Sequence, residues 1–151
     1  MDNFCSGDTI RLMLADGQSI DIKKRLNHGE QEDMFARWSP FIEADGQPAR
    51  LERRAVRDSK VLAYLVGWSL TQNGGTPVPM SPALSDADRL ATLANLDPDR
   101  FDEIHRAIET HETQQRALRE AQKKILGGTP AAEAISALPS GADGASSGSV
   151  N

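Results

Sequence analysis

From Val61 to Leu70 the chain reads Val-Leu-Ala-Tyr-Leu-Val-Gly-Trp-Ser-Leu, with no charged residue, and then passes directly into Thr-Gln-Asn-Gly-Gly-Thr-Pro-Val-Pro-Met. A segment that is apolar on nearly every side belongs in the middle of a domain, because no face of it gains from contact with water. The pattern predicts one central helix that starts between Leu51 and Asp58 and ends near Leu70. Asn73-Gly74-Gly75 stops it, and Pro77, Pro79 and Pro82 predict an extended loop beyond.

The N-terminal part alternates with period two. Ile10, Leu12 and Leu14 share one face of a strand, and Ile20 and Ile22 repeat the pattern after Ala15-Asp16-Gly17-Gln18. Asp-Gly between two such runs signals a hairpin. A lone hairpin is marginal in water, so its apolar face must rest on the helices that follow. Asn27 with Glu30 forms a capping-box start for a helix carrying Met34, Phe35 and Trp38, which Pro40 interrupts. Residues 44–48 read as a turn. Ser85 with Asp88 opens a helix with Leu90, Leu93 and Leu96, and Asp97-Pro98 opens another. That last helix, running to about Leu126, carries Phe101, Ile104, Ile108, Leu118 and Ile125. His111 and Gln115 stand where apolar seam residues belong, so the first half is expected to pack and the second half to project.

The expected fold is therefore mainly α with a small N-terminal β-hairpin (α+β). Residues 1–126 form the hairpin-plus-helices domain, and residues 127–151 form a flexible Ala/Gly/Ser/Pro-rich tail. From Pro139 onward there is little to bury against an ordering cost of about 1–2 kcal/mol per residue, so disorder is expected there. Hydrophobic content of 38% fits one small core. No apolar run approaches the ~20 residues of a membrane span, and Met1-Asp2-Asn3 lacks the start of a secretory signal. Cys5 is the only cysteine, so an intrachain disulfide is impossible and a reducing compartment is expected.

No constellation of residues announces catalysis, and no cofactor is expected. His105, Glu109, His111 and Glu112 have metal-ligand chemistry, but His105 and His111 are six residues apart and point roughly 120° away from each other on a helix. His105 and Glu109 share a face, and two ligands do not make a site; a solvated helix face is the expectation. Cys5 has neither a helix start nor a base beside it, and His28 belongs to a helix start. Neither Asp16-Gly17 nor Asn73-Gly74-Gly75 has the lysine and hydroxyl of a phosphate-cradling loop.

Arg50, Arg53, Arg54, Arg57 and Lys60 fall at helical spacing and form one basic stripe. It is either a solvated face pairing with Glu52 and Asp58 or a docking face for an acidic or helical partner, with Arg53, Arg54 and Arg57 as its candidate residues. Nucleic acid is disfavoured, since no aromatic residues interleave the arginines and the net charge is -5. Tyr64 and Trp68, four apart on the predicted helix, are either core or the wall of a partner groove.

Two blocks carry a family resemblance. One is the hairpin running into a helix, Leu12 to Asp16-Gly17 and on through Ile20-Asp21-Ile22-Lys23-Lys24-Arg25-Leu26-Asn27-His28-Gly29-Glu30-Gln31. The other is Val61 to Leu70 with the later Ile104-His105-Arg106-Ala107-Ile108-Glu109-Thr110-His111-Glu112. Over residues 8–112 this order resembles the small tail assembly chaperones of siphophages and related prophages. The resemblance implies a non-enzymatic protein in the cytoplasm of the bacterial host. It would coat the apolar tape-measure protein, help recruit tail-tube subunits, and leave before the virion matures, with no nucleic acid or membrane among its partners. A longer frameshifted form is common in that family. The alternatives are a minor tail or head–tail joining protein retained in the virion, and a small nucleic-acid-linked regulatory module.

Overall fold

A computed structural model describes residues 4–38 and 53–127. The expectations placed on Pro40, residues 44–48, Arg50, Glu52 and the segment beyond residue 127 lie outside the described residues. Contacts divide the chain into two units, one ending at Gln115 and one beginning at Arg116. The described part is mainly helical, with a small N-terminal antiparallel hairpin.

Strands β1 (Thr9–Met13) and β2 (Ser19–Lys23) pair antiparallel, with Ile10 opposite Ile22 and Leu12 opposite Ile20. The alternation thus puts Ile10, Leu12, Ile20 and Ile22 on one face, while Met13 lies on the other and is exposed. The connection is a three-residue loop rather than a two-residue turn. Gly17 N donates to the Leu14 carbonyl at 3.1 Å, and Leu14 N donates to the Gln18 carbonyl at 2.8 Å. Gly17 has φ 83, the left-handed conformation that closes such loops and that only glycine adopts without cost.

Helix α1 (His28–Trp38) begins with the expected reciprocal cap. Glu30 N donates to Asn27 Oδ1 and Asn27 N donates to Glu30 Oε2, both at 2.9 Å. Two of the donors that a helix start leaves without partners are satisfied in this way. Met34 is buried, and Phe35 is exposed.

The central segment departs from expectation. Helix α2 (Arg53–Tyr64) ends six residues before Leu70, and Leu65–Trp68 is a strand, β3, hydrogen-bonded to β2. Ile20 pairs with Trp68, Asp21 with Gly67 and Ile22 with Leu65, so Val66 is skipped as a bulge. The predicted hairpin is thereby extended to an antiparallel sheet in the order β1-β2-β3. The physical reason lies on both sides of the pairing. Val66, Gly67 and Trp68 are weak helix formers, and valine and tryptophan favour strands. The open edge of β2 also needs backbone partners. An apolar run buried on all sides has no periodicity to distinguish helix from strand.

Strands β4 (Thr71–Gln72) and β5 (Thr76–Pro77) form a separate short hairpin where an extended loop was expected. Its turn places Asn73 at φ 44, Gly74 at φ 81 and Gly75 at φ 108, which accounts for the Asn-Gly-Gly sequence. Helix α3 (Asp86–Ala94) is capped by Ser85, whose Oγ accepts from Asp88 N at 3.1 Å. Helix α4 (Pro98–Leu126) is capped by Asp97, whose Oδ1 accepts from Asp99 N at 2.9 Å.

One core unites these elements within the first unit. Ile20, Ile22, Val61, Leu62, Leu65, Ile104 and Ile108 are essentially inaccessible, and Leu14, Leu26 and Leu93 join them. Trp68, Leu96 and Phe101 pack at its margin. In the second unit, every residue from Arg116 to Gly127 is exposed except the half-buried Arg119. No described helix is long and apolar enough to cross a membrane.

A cationic groove between two helices as the candidate functional site

The helical spacing of α2 puts Arg53, Arg57 and Lys60 on one face, because residues three and four apart are neighbours on a helix. That face meets α4. Together they line a groove of about 540 Å³, with Asp102, His105, Arg106 and Glu109 contributed by α4. A second hollow of about 630 Å³ shares Arg53, Arg57 and Asp102 and adds Arg54, Leu93, Leu96 and Phe101. Four full cations thus face two carboxylates in the groove, an arrangement suited to an acidic ligand surface.

The cations are not equivalent. Arg57 is ion-paired to Asp102, and its guanidinium lies over the Phe101 ring, 5.1 Å from the centroid. This hydrogen-bonded pairing, more than charge alone, holds the Asp102 carboxyl below the usual carboxylate range. Lys60 is 3.5 Å from Glu112 and 3.7 Å from Glu109. Arg54 pairs with Asp58 one turn on at 3.4 Å. Arg53 and Arg106 make no ion pair with any described residue. Of the three candidate docking residues, Arg53 and Arg54 are exposed, whereas Arg57 is half-buried and committed to holding α2 against α4.

The His/Glu cluster separates into different jobs. His105 is half-buried beside Phe101, ring centroids 6.3 Å apart, with Nε2 3.6 Å from Glu109. Burial pushes its pKa below the ordinary histidine value. His111 corrects the expectation of a solvated face. It is buried, and its Nε2 lies 2.8 Å from the Lys24 carbonyl, the hydrogen bond that makes a polar residue tolerable at a seam position. Glu112 is likewise no solvated bystander, since its Oε2 accepts from the Tyr64 hydroxyl at 3.1 Å. Among the described residues, no group of three or more His, Cys, Asp or Glu is arranged to hold a metal ion.

The remaining candidates have local explanations. Cys5 is half-buried with Sγ 3.8 Å from the Leu26 carbonyl. His28 is exposed at the start of α1. Tyr64 is in the core, and Trp68 packs against it from β3 while donating from Nε1 to the Val78 carbonyl at 2.8 Å. Both serve the core, although they do not share a helix.

Arg89 escaped the sequence reading. It is buried on α3, and its Nη2 donates to the carbonyls of Leu62 and Leu65 at 2.9 and 2.6 Å. A signal was present, since Arg89 lies four residues before Leu93 and so interrupts the apolar stripe of α3 with a charge. Compared with known proteins, the chain matches no family model, no curated protein and no solved structure.

Proposed function

We propose that this chain is a non-enzymatic protein-binding chaperone of phage tail assembly, acting in the host cytoplasm. It keeps the apolar helical stretches of a tape-measure protein soluble and brings tail-tube subunits to them. The family reading comes from the resemblance of the blocks around Asp21–Gln31, Val61–Leu70 and Ile104–Glu112. The structural observation that supports a binding role is the groove between α2 and α4, where Arg53, Arg57, Lys60 and Arg106 outnumber Asp102 and Glu109. Its chemistry suits docking against an acidic helical surface, with Arg53 and Arg54 exposed for contact and Arg57 fixing the wall between them and α4.

Co-expression with the tape-measure protein encoded beside this chain is the direct test. The expected result is a soluble complex, and loss of partner solubility when this chain is omitted. Equal solubility with and without it, with no complex recovered, refutes the reading. Mass spectrometry of purified particles separates the chaperone, which leaves, from a minor tail or head–tail joining protein, which stays.

A further inference from the structure

Of the described residues that line the α2–α4 groove, His105 is the one whose charge can change near neutral pH. It shares the groove with Arg53, Arg57 and Lys60 of α2 and with Asp102, Arg106 and Glu109 of its own helix. Its ring is stacked against Phe101, the two planes 12° apart. The side chain is only 14% exposed, so most of the desolvation that disfavours an imidazolium is already present in the free protein. The carboxylates beside it are engaged. Glu109 Oε1 lies 3.6 Å from His105 Nε2 but also 3.7 Å from Lys60 Nζ, and Asp102 is ion-paired to Arg57. Burial and these cations hold the imidazole below the ordinary histidine pKa.

We propose that binding of an acidic helix in this groove is coupled to protonation of His105, so that affinity for the partner rises as the pH falls below neutral. The proposal rests on the reading of the groove as a seat for an acidic partner and adds its regulation. Arg53 and Arg106 make no ion pair with any described residue, so they are the cations open to an incoming carboxylate, one on each helix. Carboxylates drawn between them enter the hollow that holds His105. An opposite charge within about 4–6 Å favours the imidazolium. Covering a side chain that is already largely buried opposes this only weakly, so the added negative charge decides the sign. A ligand that favours the imidazolium is in turn bound more tightly by it, by the same factor. At high pH His105 is neutral with and without partner, and affinity is level. As the pH falls, the complex takes up the proton before the free protein does, and affinity climbs until both are protonated.

The test uses the full chain and a labelled synthetic three-heptad helical peptide with glutamate along one face, its binding followed by fluorescence anisotropy from pH 8 to pH 5.5. Affinity is expected to rise at least about fivefold over that range, the lower end of ordinary coupling between two sites. His105→Gln should remove the rise, the comparison being of the slope within each protein. In the wild-type chain, the NMR titration of the His105 ring should shift to higher pH when the peptide is bound, by an amount that matches the gain in affinity. Binding that is level in pH, a slope that survives in the glutamine variant, or a His105 titration unmoved by the peptide overturns the proposal and leaves the groove as a binding site. A peptide that binds at no pH removes the groove and the coupling together. The expected pH profile from a chain that fails to keep the tape-measure protein soluble keeps the coupling and refutes the chaperone reading.

Discussion

Arg89 donates from Nη2 to the Leu65 carbonyl at 2.6 Å, and this contact marks the place where α2 gives way to β3. The last carbonyls of a helix have no partner within it. Here a guanidinium from α3 supplies donors to Leu62 and Leu65 together. Arg89 is 6% exposed, and its Nε has no hydrogen-bond partner, so the group accepts a desolvation cost in order to end the helix. Asp86, 3.9 Å away, is the nearby carboxylate that offsets part of it.

Arg89→Ala should therefore destabilise the protein by about 2–3 kcal/mol, the range for a hydrogen-bonded charged donor whose partners are left buried. Urea unfolding checks this through a lower midpoint at an unchanged slope. A midpoint equal to that of the wild type would show that the carbonyls of Leu62 and Leu65 find donors elsewhere.

Leu65 is 1% exposed at the first position of β3. Leu65→Ala should cost about 2–5 kcal/mol through lost burial and the cavity left behind. That is a large share of the ~5–15 kcal/mol that holds a domain of this kind together. Soluble yield should fall sharply, whereas Val66→Ala at the half-buried bulge should be milder. Similar losses at the two positions would contradict the assignment of Val66 to the bulge.

Charge reversal on α2 should divide the three arginines. Arg53→Glu with Arg54→Glu should leave the thermal midpoint close to that of the wild type, because exposed charges contribute little to stability. Arg57→Glu should lower it by a few degrees, since it sets a carboxylate against Asp102 and removes the cation over Phe101. Adding Asp102→Arg to Arg57→Glu should recover part of the loss. No recovery would mean that the Arg57 side chain acts through packing alone.

The titration of His105 gives a pH dependence with a defined sign. Burial lowers its folded-state pKa, Glu109 and Asp102 oppose that shift, and Arg57 and Lys60 reinforce it. The unfolded chain therefore takes up the proton first, at about pH 6.5. Stability from this group is complete above that value and falls as the pH drops toward the folded-state pKa. Thermal midpoints measured from pH 8 to pH 5 should decline, and His105→Phe should flatten that part of the curve. Asp16, Asp21, Glu30 and Asp102, all held below their ordinary values, act only in the more acidic range. An identical slope in the phenylalanine variant would move the effect to another group.

Features with a local cause were legible from the sequence. The alternation in the hairpin, the Asn27–Glu30 cap, the Ser85 and Asp97 caps and the polar interruption at His111 each depend on residues within a turn or two. The end of α2 was not legible, because it depends on β2, about 45 residues earlier, and on Arg89, 24 residues later. Locally, Val61 to Leu70 satisfies a buried helix and a buried strand equally well. The basic stripe was visible as a spacing pattern, but its division was not. Asp102 and Phe101, both brought up by α4, separate Arg57 from Arg53 and Arg54.

The pairing of β2 with β3 also sets an order of events on the ribosome. Arg11 and Asp21, ten residues apart, can meet as soon as the first hairpin leaves the exit tunnel. Ser19 must wait for Ser69, 50 residues later, before the other edge of β2 is satisfied. At about 5–20 residues per second, that edge stays open for several seconds on the nascent chain, with Ile20 and Ile22 still exposed. Exposed strand edges of this kind recruit other chains. Under the proposed function, a protein that shields apolar segments of another polypeptide would pass through a comparable hazard during its own synthesis.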